Sequence, residues 1–239
     1  MNSGSKMKKN VIIRFLFLLV ISLSTFQVMS KPKIIYVFDP MCGWCFGFSG
    51  VIRNAEQQFG DSLDFEIISG GMVVGEREGP IGDFADYILS AYGRVESYSG
   101  VKFGQPYLDQ LKDKSLYTSS VLPSIALEVV KSMDSSKAIA FASEMQKLHF
   151  IGGKNLSDST VYKELLQKMD LSESVFYAGL ASEDFKKKAF EVFESAKKLG
   201  VSGYPAVLAV IQGKYYLVSN GFVPENELFE LLEKVKTIQ

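Results

Sequence analysis

The chain is poor in the residues that most metal and disulfide-rich proteins depend on: 239 residues hold one histidine, one tryptophan, two cysteines and seven prolines. A single histidine, His149, rules out a histidine-built metal centre, and a zinc site around Cys42 and Cys45 would need carboxylates to complete it. No metal site is expected. Two cysteines also rule out a scaffold stapled by several disulfides. Neither sign of charge dominates, with 26 basic against 27 acidic side chains, and no basic cluster follows Arg14. The electrostatic footprint of a nucleic-acid binder is therefore missing. There is no low-complexity run, and no apolar stretch reaches the about 20 residues that a membrane-spanning helix needs.

What is present reads as a globular protein, with 47% of residues apolar, built as one domain or as one domain with an inserted subdomain. Residues 1–30 have a secretory layout. Lys6, Lys8, Lys9 and Arg14 precede the apolar run Phe15 to Leu23, and small or polar residues end at Val28-Met29-Ser30. The mature chain is expected to be 31–239, exported to the periplasm or outside the cell, and without stable membrane insertion once the signal is cleaved. No cysteine stands at the cleavage point to take a lipid. Met1 and Met7 both remain open as the start.

In the mature chain, Lys33 to Phe38 is a β-branched and aromatic run that stops at Asp39-Pro40, as a strand entering a tight connection does. Ser49 to Phe59 has helical spacing, and Leu63 to Ser69 alternates as a second strand before Gly70-Gly71. From about 81 to 199 the pattern is helical, for example Ile125, Val129, Val130 and then Ala138, Phe141, Ala142, Met145, with breaks at Gly100, Gly104-Gln105-Pro106 and Gly152-Gly153. Strand signals return at Ala206 to Ile211 and Tyr215 to Val218, with Gly213-Lys214 as the hairpin turn, and Glu225 to Val235 is a last helix after Pro224. This order predicts an α/β fold, a small mixed sheet with helices on both faces.

Cys42 and Cys45, two residues apart at the strand-to-helix junction in Asp39-Pro40-Met41-Cys42-Gly43-Trp44-Cys45, are the most specific signal. A structural disulfide over so short a loop would stabilise little, and a free pair is disfavoured where thiols are oxidised. The redox reading remains. A thiolate in the first turn of a helix faces unpaired backbone N–H groups and the positive end of the macrodipole, which favours attack by Cys42. Cys45, one turn further in, is expected to be less exposed and to act second, as the resolving thiol. Asp39 is a candidate proton acceptor, and equally an Asp-Pro turn or helix cap. His149 reads as a core or cap residue. Met41, Trp44, Phe46, Phe48 and Met72 read as partial core, or as an apolar landing surface for unfolded chains where they flank the cysteines.

These motifs, with Gly70-Gly71, Gly104-Gln105-Pro106, Gly153, Leu156-Ser157-Asp158 and Gly200-Val201-Ser202-Gly203-Tyr204-Pro205, resemble the DsbA-like branch of the thioredoxin superfamily, in particular its disulfide-isomerase and FrnE-like members. The resemblance implies a thioredoxin fold with the helical block of about 81–199 as an inserted cap. It also implies a cis Tyr204-Pro205 bond beside the cysteines, which would leave Tyr204 and Pro205 to meet an extended substrate; Trp44 is a substrate-contact candidate on its apolar character alone. Two positions depart from thioredoxin and DsbA: Tyr36 stands where they carry a buried acid, and Gly43-Trp44 replaces their Gly-Pro and Pro-His.

The implied function is a thiol:disulfide oxidoreductase, a disulfide oxidase or isomerase, with the Cys42-Cys45 disulfide in place of any cofactor. Its expected partners are unfolded or cysteine-containing exported proteins and a redox recycling partner, and no dimerisation module is visible, which favours a monomer. Two other classes stay in view. A glutathione-dependent isomerase or transferase of the kappa-class or hydroxychromene carboxylate isomerase type shares the architecture but carries serine at the place of Cys42. A non-catalytic peptide-binding module would keep the pair as a relic.

Overall fold

Five of the six residues in Lys33–Phe38 (β1) are buried without alternation, the pattern of a strand covered on both faces. The computed structural model describes residues 31–238, so the secretory leader read over 1–30 lies outside the described residues. After β1 come Gly43–Phe59 (α1), Asp64–Ser69 (β2), Gly79–Pro80 (β3), Phe84–Ser99 (α2), Gln105–Lys112 (α3), Tyr117–Thr118 (β4), Val121–Met133 (α4) and Ala138–Phe150 (α5). Lys163–Lys168 (α6), Glu173–Leu180 (α7), Glu183–Lys198 (α8), Ala206–Ile211 (β5), Lys214–Asn220 (β6) and Glu225–Thr237 (α9) complete the chain.

The main sheet has the order β2-β1-β5-β6. β1 runs parallel to β2, pairing Lys33 with Asp64 and Phe38 with Ser69, and antiparallel to β5, pairing Lys33 with Val210 and Val37 with Ala206. The expected small mixed sheet is therefore present. Successive residues of β1 serve opposite faces. Ile34, Tyr36 and Phe38 pack in one core with Ile52 and Phe59 of α1 and Leu228 and Leu232 of α9, whereas Ile35 and Val37 join Ile68, Leu208 and Ala196 of α8. The last helix of the 81–199 block thus covers the sheet itself. Its other helices extend the first core through α4 and α5 and build a second one around Phe46, Phe103, Tyr107 and Phe150.

Two local expectations are corrected. The first helix begins at Gly43 rather than Ser49; Gly43, Gly47 and Gly50 weaken its propensity, and tertiary packing overrides them. The hairpin turn is Gln212-Gly213, one residue earlier than read. Both residues have positive φ (51° and 76°) and Ile211 pairs directly with Lys214. That is the backbone of a two-residue turn whose twist suits a hairpin.

The Gly104 segment has a packing reason. Its amide donates to the Phe150 carbonyl at 2.9 Å, and a Cβ at Gly104 would run into the Ile151 backbone carbonyl. Neither backbone can retreat easily, because nearby Gly153 is also packed against the Pro106 backbone, which a Cβ there would meet at 2.9 Å. Gly104→Ala is expected to destabilise the fold by about 3 kcal/mol, read as a lower urea midpoint at constant slope. An unchanged midpoint would show that this contact yields freely.

Candidate active site

The connection from β1 to α1 puts the dithiol at the end of the sheet. The Cys42 amide donates to the Asp39 carbonyl at 3.1 Å, closing a tight turn, and the Phe46 amide then donates to the Cys42 carbonyl at 3.0 Å. Cys42 is the residue that caps α1, extended at φ −87° and ψ 112°, rather than a member of its first turn. Its Sγ accepts from the Cys45 amide at 3.2 Å, so one of the N–H groups left free at the helix start meets the sulfur. Both cysteines are free thiols. Both are buried, but Cys42 retains 7% of its surface and Cys45 none, so only Cys42 keeps any exposure. Burial, followed by the hydrogen bond and charge of Cys42, pushes the Cys45 thiol well above its usual range, while the Asp39 amide opposes this.

Asp39 is fully buried, and its carboxylate ties three segments together. Oδ1 accepts from the Met41 amide at 2.9 Å and the Ser120 hydroxyl at 2.8 Å, and Oδ2 accepts from the Met72 amide at 2.7 Å. Burial raises its pKa to about 6 against the pull of those donors. Its backbone carbonyl also takes a hydrogen bond from Gln146 Nε2 at 3.2 Å. Ser120 and Gln146 belong to this site, yet nothing local in the sequence pointed to either.

On the far side of the cysteines, Tyr204-Pro205 is cis. The Cys42 thiol donates to the Tyr204 carbonyl at 3.5 Å. The Tyr204 hydroxyl donates to the Gly70 carbonyl at 2.9 Å, and its ring lies so close to Gly70 that a Cβ there would overlap it. Gly70 is thus a close-approach glycine, which explains half of the Gly70-Gly71 pair. Burial first, and then the charges of Asp39, Cys45 and Cys42, raise the Tyr204 pKa to about 12.

The aromatic residues around the cysteines divide. Phe46 and Phe48 are core, whereas Met41, Trp44 and Met72 are half-buried beside the dithiol. The Trp44 ring meets Tyr98 at 6.1 Å and Phe222 at 5.9 Å. Beyond Met72 lies an apolar cleft of about 380 Å³ lined also by Val73, Pro80, Ile81 and Phe84, with Arg77 and Thr118 as its polar members. His149 is remote from this chemistry. It is buried, its Nδ1–H donates to the Lys154 carbonyl at 3.1 Å, and burial lowers its pKa to about 4. It is a satisfied core histidine, neutral at pH 7.

Tyr36, set aside in the sequence as a departure, faces the site. Burial pushes its phenol far above its ordinary range, and the charges of Cys45 and Cys42 and the nearby Cys45 side chain add to this.

A family model described as Thioredoxin matches residues 36–215. A provisionally named protein disulfide isomerase from Nitrosomonas europaea superposes with a TM-score of 0.76 at 24% identity, covering 86% of this chain and 97% of that one. The cytosolic disulfide reductase DsbM from Pseudomonas aeruginosa gives 0.72 at 25% identity, covering 84% and 97%, and is also solved with GSH. Among curated proteins, the ClpXP adapter protein SpxH of Bacillus subtilis (strain 168) is 24% identical over 180 residues, 74% of this chain and 58% of that protein. The chain thus spans little more than half the length of that relative.

Proposed function

The chain belongs to the thioredoxin family, and from that premise we propose that it is a thiol:disulfide oxidoreductase in which Cys42 exchanges with client disulfides and Cys45 resolves. The observation that carries this reading is the asymmetry of the pair: a cysteine at the helix cap that keeps some exposure and, one turn on, a fully enclosed one with a buried carboxylate close by. The names of the DsbM and Nitrosomonas proteins support it.

The Cys42 thiolate attacks one sulfur of a client disulfide. The client S–S bond breaks, one client sulfur leaves as a thiolate, and a Cys42–client disulfide forms. Cys45 then gives its proton to Asp39 and attacks the Cys42 sulfur. The Cys42–Cys45 bond forms and the second client thiolate departs. The client gains two electrons and the protein's dithiol loses them; run backwards, the same steps oxidise a client. Trp44, the cleft beyond Met72, and Tyr204-Pro205 are the proposed client contacts. Clients are cysteine-containing exported proteins, on the strength of the leader-like residues 1–30, and a dithiol or glutathione-like partner recycles the pair.

The test is equilibration in glutathione buffers. Both cysteines are expected to exchange reversibly, with a potential between about −120 mV, an oxidase, and about −180 mV, an isomerase; a value near −270 mV would assign a reductase instead. Failure of the pair to exchange would end the enzymatic reading. The adapter name of SpxH supports a second reading, a peptide-binding module, which predicts equal peptide affinity for wild type and the double variant Cys42→Ser, Cys45→Ser.

A further inference from the structure

We propose that Tyr36 is a positioning residue for this exchange: its phenolic O–H, which has no other partner among the described residues, donates a hydrogen bond to the Cys45 sulfur as that sulfur becomes a thiolate. The inference rests on the thiol:disulfide reading and extends it to the step that Cys45 performs.

Tyr36 keeps 2% of its surface, and among the described residues its hydroxyl has no partner in hydrogen-bond geometry, although the Cys45 side chain lies near enough to act on it. Its ring is fixed by Phe38 at 5.6 Å and Phe48 at 5.7 Å, in the same core that contains both cysteines. An unpaired buried hydroxyl is costly and calls for an explanation. Packing does not supply one, since phenylalanine would fill the same space with no hydroxyl to leave unpaired. Redox chemistry does. The resting thiol of Cys45 is a weak acceptor, whereas its thiolate is a strong one, so the bond is made fully only during the reaction.

The other groups around Cys45 cannot take this part. The Asp39 carboxylate and Cys42 disfavour its negative charge, and the Asp39 amide is the backbone donor that favours it. Tyr204, from the segment before β5, has its hydroxyl committed to the Gly70 carbonyl. Among these neighbours Tyr36 holds the uncommitted O–H. It remains a donor throughout, because burial and the two nearby sulfurs keep the phenol protonated. In the step itself, Cys45 loses its proton to Asp39 and attacks the Cys42 sulfur of the mixed disulfide. The new S–S bond forms, the client sulfur leaves with the electron pair of the old one, and Tyr36 keeps its proton.

The test uses the reduced full chain and an aromatic disulfide reagent whose released thiolate is coloured. Cys42 releases one equivalent in a first phase, and attack by Cys45 releases a second. Tyr36→Phe is expected to slow the second phase about tenfold at neutral pH and to move its alkaline midpoint up by about one pH unit, with the first phase little changed. Phe38→Leu loosens the same core without removing a hydroxyl, and should leave the midpoint in place. An unshifted midpoint in Tyr36→Phe, or an equal shift in Phe38→Leu, overturns the role of Tyr36 and leaves the oxidoreductase standing. A wild type that releases a single equivalent overturns both.

Discussion

Cys42→Ser and Cys45→Ala are expected to fail differently: each loses turnover of a disulfide client by at least about a thousandfold, but only Cys45→Ala accumulates a covalent complex with the client. The reason is positional. In Cys45→Ala the Cys42 sulfur at the helix cap still attacks, because the residue's remaining exposure, its contact with the amide of position 45 and its contact with the Tyr204 carbonyl are all independent of the Cys45 side chain. The mixed disulfide then has no internal thiol to open it, so it persists until an external thiol arrives. In Cys42→Ser the remaining sulfur is wholly enclosed and its thiol is held protonated by burial and its surroundings, so it neither reaches a client nor attacks one. Non-reducing gels after incubation with a scrambled client read the difference. Equal trapping by both variants would mean that the roles are not ordered, and trapping by Cys42→Ser alone would invert them.

How much of this was legible depends on how local each signal is. The cysteine pair, the break at Asp39-Pro40 and the first three strand runs are written in adjacent residues, and the structure places them within a residue or so of the reading. The extent of α1 was not, because its first residues include glycines whose helical state is decided by packing against Phe103 and Val95. The hairpin turn slipped by one residue because glutamine at positive φ gives no compositional cue. Ser120 and Gln146 were out of reach altogether. They come from the start of α4 and from α5, and only the folding of those helices onto the end of β1 brings them to Asp39. For Asp39 the sequence left two readings open, proton acceptor or turn and cap residue. Its Oδ1 accepts the Met41 amide two residues on, as a turn residue does, and the whole carboxylate stands in the field of Cys45. The structural role is thus carried by these hydrogen bonds, and the catalytic role belongs to the proposed mechanism.

Asp39→Asn is the variant that measures it, through two pH dependences of opposite sign. Burial raises the Asp39 pKa from 3.8 to about 6. A carboxyl raised in the folded state contributes stability that is fully present below its unfolded value, near pH 4, and is lost as pH rises through about 6. Two pH units of displacement correspond to about 3 kcal/mol lost by neutral pH. The resolving step runs the other way, since it needs the ionised carboxylate to take the Cys45 proton, and should therefore quicken through the same range. Wild type thus carries an ionised, buried Asp39 at pH 7 at the expense of stability, a balance that is reasonable only if the charge is used. Asparagine keeps an oxygen for the Met41 amide and Ser120 but turns an NH2 toward the Met72 amide, so one hydrogen bond is lost while the ionisation cost disappears. Asp39→Asn is expected to slow the second phase of disulfide exchange at pH 7 by about ten- to a hundredfold, to abolish its rise near pH 6, and to flatten the fall in unfolding free energy between pH 4 and 7. Rapid mixing and urea unfolding over one pH series read both. If the slow phase of the variant keeps a midpoint near pH 6, the proton goes elsewhere and Asp39 is a structural tie alone.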